Sequence, residues 1–319
     1  MTVADIRDDA YRALVDGVAL VDRSERGKLA LTGGEAKAFL HGQVTNDIEG
    51  LEPGSGCYAA FLTHKGKMLG DLRVLDTGDE LLLDCERVAL RELFTMIRRF
   101  KLGRDVELHK RTLERGLLSL IGPGARAAAG APDLPATEHA HRAAEVGGAP
   151  VRLIATDVGV DVLCDAADTE RVAAALGAAG AVPVEEAEAE VRRVETGRPR
   201  FGVDLDDSVI PQEAGLNERA VSFTKGCYVG QETVARLFYR GKPNRHLRGL
   251  RLSAPVAAGA PLRLGEREVG RLGSVASSPV HGPIALALVR REAEPGTTLA
   301  VGDDGAETAT VVDLPFAQA

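Results

Sequence analysis

Residues 57–75 read CYAAFLTHKGKMLGDLRVL, two alternating runs on either side of the polar turn His64-Lys65-Gly66-Lys67. A period of two sends successive side chains to opposite faces, so 57–63 and 68–76 are expected as paired strands of one sheet. Upstream, KLALTG from Lys28 is a short apolar strand and Glu35 to Gln43 is amphipathic. Downstream, LLLDC at 81–85 follows the turn Thr77-Gly78-Asp79, and Leu90, Leu93, Phe94 and Ile97 recur at the spacing of one helical face before a strand near 105–109. Strand, helix, strand pair, helix, strand is the order of a ferredoxin-like unit.

The same order recurs more weakly: a strand at 117–121, a short helix near 124–129, paired strands at 151–155 and 158–164, and a helix from Asp168 that buries Val172, Ala175, Leu176 and Ala179. The expected fold class is therefore α+β with a duplicated ferredoxin-like arrangement. The Ala/Gly/Pro-rich stretch from Gly122 to Pro150 reads as a loop-bearing surface insert. A helix from Glu185 runs into Arg193-Val194-Glu195-Thr196-Gly197. From Leu247 onward short apolar segments alternate with Gly, Pro and Ser turns, the pattern of a separate all-β, barrel-like domain.

Composition narrows the function. The chain has 319 residues, 45% apolar and 27% charged, which suits about two packed domains and excludes whole-chain disorder. Aromatic residues make up 4%, Trp is absent and the net charge is -8, so stacking platforms are scarce and the global field repels phosphate backbones. Direct nucleic-acid binding is not expected. Acids occupy MTVADIRDDAYRALVDG where a signal peptide is basic, and no apolar run reaches membrane-span length, so a cytoplasmic protein without membrane contact is expected. Cys57, Cys85, Cys164 and Cys227 lie far apart without metal-ligand spacing, so reduced thiols and no metal site are expected.

The densest motif is KGCYVGQE at 225–232. Its glycines suit a tight turn, and a helix starting near Gly230 to Glu232, with Lys225 close by, would favour a Cys227 thiolate. A small buried thiol in a tight turn suits the same residues, and residues alone leave both readings open. Arg236, Arg240, Lys242, Arg245, Arg248 and Arg251 follow without an intervening acid. Such a strip can hold a carboxylate or phosphate, or can be a solvated face. Thr45-Asn46-Asp47 reads as a polar turn, and Glu195 at a helix end calls for a partner of its own. His41 and His64 stand beside no nucleophile signature and read as structural or surface residues.

LHGQVTNDI (40–48), CYAAFLTHKGKMLGDLRVL (57–75), RVETGRPRFGVD (193–204) and above all KGCYVGQE (225–232) resemble the YgfZ family of folate-binding proteins, relatives of the aminomethyltransferase (T-protein) of the glycine cleavage system. The likeness runs from about residue 28 to GSVASSP and IALALV near the C-terminus. The resemblance implies three subdomains, about 1–110, 111–195 and 196–246, around a central opening that takes tetrahydrofolate, followed by a β-barrel at 247–319. It implies support of iron–sulfur cluster assembly or repair in client enzymes, tRNA modification included, with client or cluster-assembly proteins as partners. By the same resemblance Cys227 and Lys225 are the working residues, and Glu195 holds the pterin. Asn46, Asp47, Tyr228, Gln231 and Glu232 would adjoin the folate, and Arg236 or Arg245 would meet its glutamate tail. One departure stands out: the transferases carry consecutive aspartates where this chain has Gly70-Asp71-Leu72. That departure disfavours one-carbon transfer and casts Asp71 as a structural remnant, leaving a folate-dependent aminomethyl or methyl transferase, and then an RNA-binding modifier, as the other readings.

Overall fold

The computed structural model describes residues 6–303 and 305–316; the chain ends included in the expected domains, 1–5 and 317–319, lie outside the described residues. Helix α1 (Asp8–Val15) and strand β1 (Ala19–Asp22) precede the first repeat. That repeat runs β2 (Gly27–Thr32), α2 (Ala36–His41), β3 (Gly56–Leu62), β4 (Met68–Asp76), β5 (Leu81–Cys85), α3 (Leu90–Phe100) and β6 (Glu107–Lys110). The second runs β7 (Arg115–Ile121), α4 (Ala125–Ala128), β8 (His141–Val146), β9 (Ala149–Ala155), β10 (Gly159–Asp165), α5 (Thr169–Ala178) and β11 (Val182–Pro183). Helices α6 (Glu186–Glu195), α7 (Asn217–Ala220) and α8 (Gln231–Arg240) lead to β12 (Arg245–Leu252), β13 (Pro261–Leu264), β14 (Arg267–Ser278), β15 (Gly282–Arg290), β16 (Thr298–Val301) and β17 (Glu307–Val312).

The duplication is present. The first sheet has the order β3-β4-β5-β2-β6, a ferredoxin-like order with β3 added at one edge. The second has the order β11-β1-β7-β10-β9-β8, the same plan with β8 added at one edge and β1 wedged beside β11. Thus β1, antiparallel to β7 and parallel to β11, belongs with the second sheet, and a first subdomain of 1–110 does not hold for it. The last six strands close into a barrel, β12-β15-β14-β13-β16-β17.

Packing explains why these segments fold together. On α3, Leu93 and Ile97 are buried against the first sheet, as the one-face spacing predicts. The same core takes Phe201, Leu205, Val209, Leu216, Ala220, Tyr228 and Val234, so 196–246 is largely a cover for the first sheet instead of a third body. Helix α6 starts in a reciprocal capping box between Glu185 and Glu188, then buries Val191 and Val194 against barrel residues Ala276, Ile284 and Leu286. The opposing faces of the two sheets share a small apolar cluster of Ala30, Leu75, Leu82, Leu117, Ile154 and Leu163. Beside that cluster the facing strands turn polar, and there a cavity opens.

Candidate functional site

The cavity, of about 220 Å³, lies between the two sheets, α6 and the segment after it. It adjoins a cleft of about 830 Å³ that reaches the barrel, with Thr156, Asp157, Val158, Arg192, Thr196 and Arg198 lining both. The larger space falls in the range of small-molecule sites. Its floor is built by strand alternation. On β4, Asp71 and Arg73 share one face, and Tyr58 on β3 stands directly opposite Arg73. The Tyr58 hydroxyl donates to Asp71 Oδ2 at 2.6 Å, and the Arg219 guanidinium lies 5.0 Å from the Tyr58 ring centre. Burial pushes the Asp71 carboxyl up to about 6, against the opposing pull of the Tyr58 hydrogen bond, and it pushes the Tyr58 phenol well above its usual range.

Around this pair the charges satisfy one another. Arg73 bridges the sheets, reaching Asp84 at 2.8 Å on its own sheet and Asp161 at 2.6 Å on the other, while Ser119 donates to Asp161 at 2.7 Å. Arg26 meets Asp84 and Glu86, and Arg219 meets Glu138. His139 also lines the cavity, although the Gly122–Pro150 stretch was expected to be a surface insert. That stretch contains β8 and sends Glu138 and His139 to the cavity wall, which corrects the expectation.

Gly70 is corrected as well. A Cβ there would lie 2.5 Å from Phe61 Cζ and 2.8 Å from Ala89 Cβ, so position 70 faces packed core. Of two consecutive strand residues only one can face the cavity, and Asp71 is that one. The missing aspartate therefore takes no carboxylate from the cavity, whose wall Asp71 still lines.

The thiol motif stands elsewhere. Cys227 is exposed and is not among the residues lining the cavity or the adjoining cleft. Gly230 caps α8 with φ 85°, and a Cβ on it would come 2.6 Å from the Thr63 carbonyl oxygen, so left-handed backbone and close approach both require glycine. The Lys225 ammonium donates to the carbonyls of His41, Val44 (2.8 Å) and Asn46 (2.8 Å), and burial brings it down to about 8. It is a clamp on the Thr45–Asp47 turn instead of the cation expected beside Cys227. Asn46 continues the chain of contacts, its amide donating to the Tyr58 carbonyl at 2.8 Å and the Arg219 carbonyl at 3.1 Å. The thiol loop is thus tied to the back of the cavity wall without entering the cavity.

The remaining expected contacts separate similarly. Glu195 is 3% exposed, and its carboxylate is held by Tyr11 at 2.9 Å, Ser278 at 2.6 Å and Arg192 at 3.2 Å, so it joins α1, α6 and the barrel and does not line the cavity. Asp47 accepts from the Gly50 amide at 3.0 Å, and Tyr228 is buried in the first-sheet core. Gln231 and Glu232 form the first turn of α8, and Arg236 is exposed on it. Arg245 is held by both carboxylate oxygens of Glu213, at 3.1 and 2.8 Å, and lines a different cleft. None of these residues lines the central cavity. The signal for those that do was the polar residue at every second position of otherwise apolar strands: Asp71 and Arg73 in β4, Asp84 in β5, Asp161 in β10. Among the described residues, no helix is long and apolar enough to cross a membrane.

Known proteins share this architecture. The chain superposes on the glycine cleavage system aminomethyltransferase T of Bartonella henselae with a TM-score of 0.83, at 23% identity over 94% of this chain and 86% of that one. A chloroplastic protein of Arabidopsis thaliana that bears a provisional transferase name is 29% identical over 313 residues, 94% of this chain and 72% of its own length. The GCVT N-terminal domain family matches residues 2–225 and the Glycine cleavage T-protein C-terminal barrel domain family matches 245–318, and by these matches the chain belongs to the glycine cleavage T-protein family.

Proposed function

We propose that the chain binds a reduced folate, tetrahydrofolate or a one-carbon derivative, in the central cavity. The observation that carries this reading is the buried Tyr58–Asp71 pair, a carboxyl raised to about 6 in a cavity whose other acids are paired with arginines. A carboxyl so placed can hold a ring N–H or amino group of a pterin. The residues present fit the ligand: Tyr58, Asp71 and His139 for the heterocycle, and Arg126, Arg192 and Arg248 in the adjoining cleft for the glutamate carboxylates. In this reading these arginines take the part that the family resemblance implied for Arg236 and Arg245, and Asp71 takes the part it implied for Glu195.

Within that frame we read the chain as a YgfZ-type accessory protein that supports iron–sulfur enzymes through Cys227. What supports this is a thiol held outward on a loop that Lys225 and Gly230 fix in place, with no ion pair or hydrogen bond of its own among the described residues. Client or cluster-assembly proteins would meet that loop. Replacing Cys227 by Ser should abolish support of client enzymes and leave tetrahydrofolate affinity unchanged; normal client activity in that variant would end the reading. A second reading, an aminomethyl or methyl transferase, is favoured by the cavity-facing Asp71. It requires turnover of an aminomethyl donor with tetrahydrofolate, and loss of that turnover in Asp71→Asn.

A further inference from the structure

Among the described residues, two side chains on the central cavity wall that are more than nine-tenths buried carry polar atoms without a hydrogen-bond partner: Arg73, whose Nε is unpaired while its other nitrogens hold Asp84 and Asp161, and His139, whose ring has no partner at all. His139 is 7% exposed, and neither ring nitrogen has a hydrogen-bond partner. A Glu138 carboxylate oxygen lies 3.6 Å from Nε2, beyond hydrogen-bond reach, and that carboxylate is already taken by Arg219. A buried, unsatisfied imidazole is costly, and native proteins keep such groups where something else completes them.

The backbone adds a second, independent observation. Among the described residues His139 is the one non-glycine residue at positive φ, 69°. Left-handed backbone is unfavourable for an L-residue, and persists where surrounding contacts impose it. Here they do. The His139 amide donates to the Ala155 carbonyl at 2.8 Å, the His141 amide donates to the Gly54 carbonyl at 2.8 Å, and His141 Nε2 lies 3.1 Å from the Ser55 carbonyl oxygen. Residues 139–141 thus strap the second sheet to the β3 edge of the first. A Cβ on Gly56 would come within 3.1 Å of His139 Cβ, so the glycine makes room for the side chain where it stands.

We propose that His139 is a ligand-binding residue of the cavity, its imidazole hydrogen-bonding an uncharged heteroaromatic group, a ring nitrogen, amino or carbonyl group of the folate pterin. This rests on the folate reading of the cavity. The charged neighbours define the chemistry: Arg73 belongs to Asp84 and Asp161, Arg219 to Glu138, and Asp71 to Tyr58, so His139 is left as a neutral group with one N–H to give and one lone pair to offer. Burial, with Arg73 and Arg219 nearby, brings its imidazolium down to about 3, so it keeps that neutral form throughout the physiological range.

The test combines a variant with a measurement on the unaltered protein. His139→Asn keeps a residue that tolerates left-handed backbone, so its melting temperature should stay close to that of the parent. Calorimetric titration with tetrahydrofolate should show affinity weaker by about tenfold, the size of one lost buried hydrogen bond. In the parent protein, long-range 1H–15N spectra should show the His139 ring nitrogens shifting on saturation with tetrahydrofolate. Unchanged affinity in the variant, or unmoved ring nitrogens in a parent that binds, overturns the role of His139 and leaves the folate reading standing. A parent that binds no tetrahydrofolate overturns both.

Discussion

The central cavity and the Cys227 loop share a wall but are made by opposite means. In the cavity, side chains from distant strands neutralise one another: Arg73 alone joins Asp84 of β5 to Asp161 of β10, which lies 88 positions from Arg73 along the chain. The loop is held by sequence neighbours instead: Lys225 clamps three carbonyls of the turn beside it, Tyr228 anchors in the first-sheet core and Gly230 turns the backbone at φ 85°. A linear motif describes the second kind of site because its determinants are neighbours in sequence. Nothing linear describes the first. On the proposed reading, binding falls to the region without a motif, while the specific motif marks a surface.

That contrast predicts graded effects. The largest should follow Arg73→Met, which leaves Asp161 without its arginine and Asp84 with Arg26 alone. Breaking a buried pair costs about 3–5 kcal/mol, and denaturant unfolding should show a loss of that order. A loss below about 1 kcal/mol would mean that apolar packing, and not this network, joins the sheets.

Lys225→Met should come next, because it deprives three carbonyls of their donor, a cost of about 2 kcal/mol in denaturant unfolding. Its effect on tetrahydrofolate affinity should stay within about threefold, or ~0.6 kcal/mol, since the clamp acts behind the cavity wall. A much larger loss of affinity would show that Asn46 transmits the state of the loop to Tyr58 and Arg219 and that the two regions work as one.

Asp71→Asn should act with the opposite sign. The folded-state carboxyl, at about 6, lies above its ordinary 3.8, so the native state holds the proton more tightly than the unfolded chain. Stability therefore falls as pH rises from about 4 to about 6, and the cost of the charge is fully present at neutral pH. Removing the charge should stabilise the protein at pH 7 by about 2 kcal/mol and flatten that part of its pH profile, as thermal melts across pH 4–8 would reveal. Such a gain, paired with a loss of folate chemistry, is the mark of a group kept for function at the expense of stability.

Much of the fold was legible for the reason that the loop was. The alternation of 57–63 and 68–76, the Leu90–Ile97 stripe and the Gly-punctuated apolar runs after Leu247 are local patterns, and the two sheets and the barrel follow them. The placement of β1 was hidden because wedging beside β11 is a long-range event: Ala19–Asp22 is only four residues long and carries no mark of its partner. The cavity residues were half visible. Asp71 and Arg73 broke the apolar pattern of their strand, but the contrast with paired aspartates drew attention to Gly70, which faces Phe61. Glu195 was rightly expected to need a partner, yet three protein groups supply it.

The smallest effect on stability should be that of Cys227→Ser, under about 0.5 kcal/mol, since the thiol is exposed and makes no contact that packing would miss. Its reactivity is the sharper measurement. With ligand and thiol on different surfaces, saturating tetrahydrofolate should leave the rate of Cys227 alkylation unchanged, whereas a thiol at the mouth of the ligand site would be shielded. Shielding would mean that the loop folds over the opening when ligand binds, and Lys225→Met should then abolish it, because releasing the clamp frees the loop from Asn46 and thus from the Tyr58 and Arg219 backbone. Equal rates in all four combinations of parent and clamp variant, with and without ligand, would keep Cys227 on a surface apart from the ligand site.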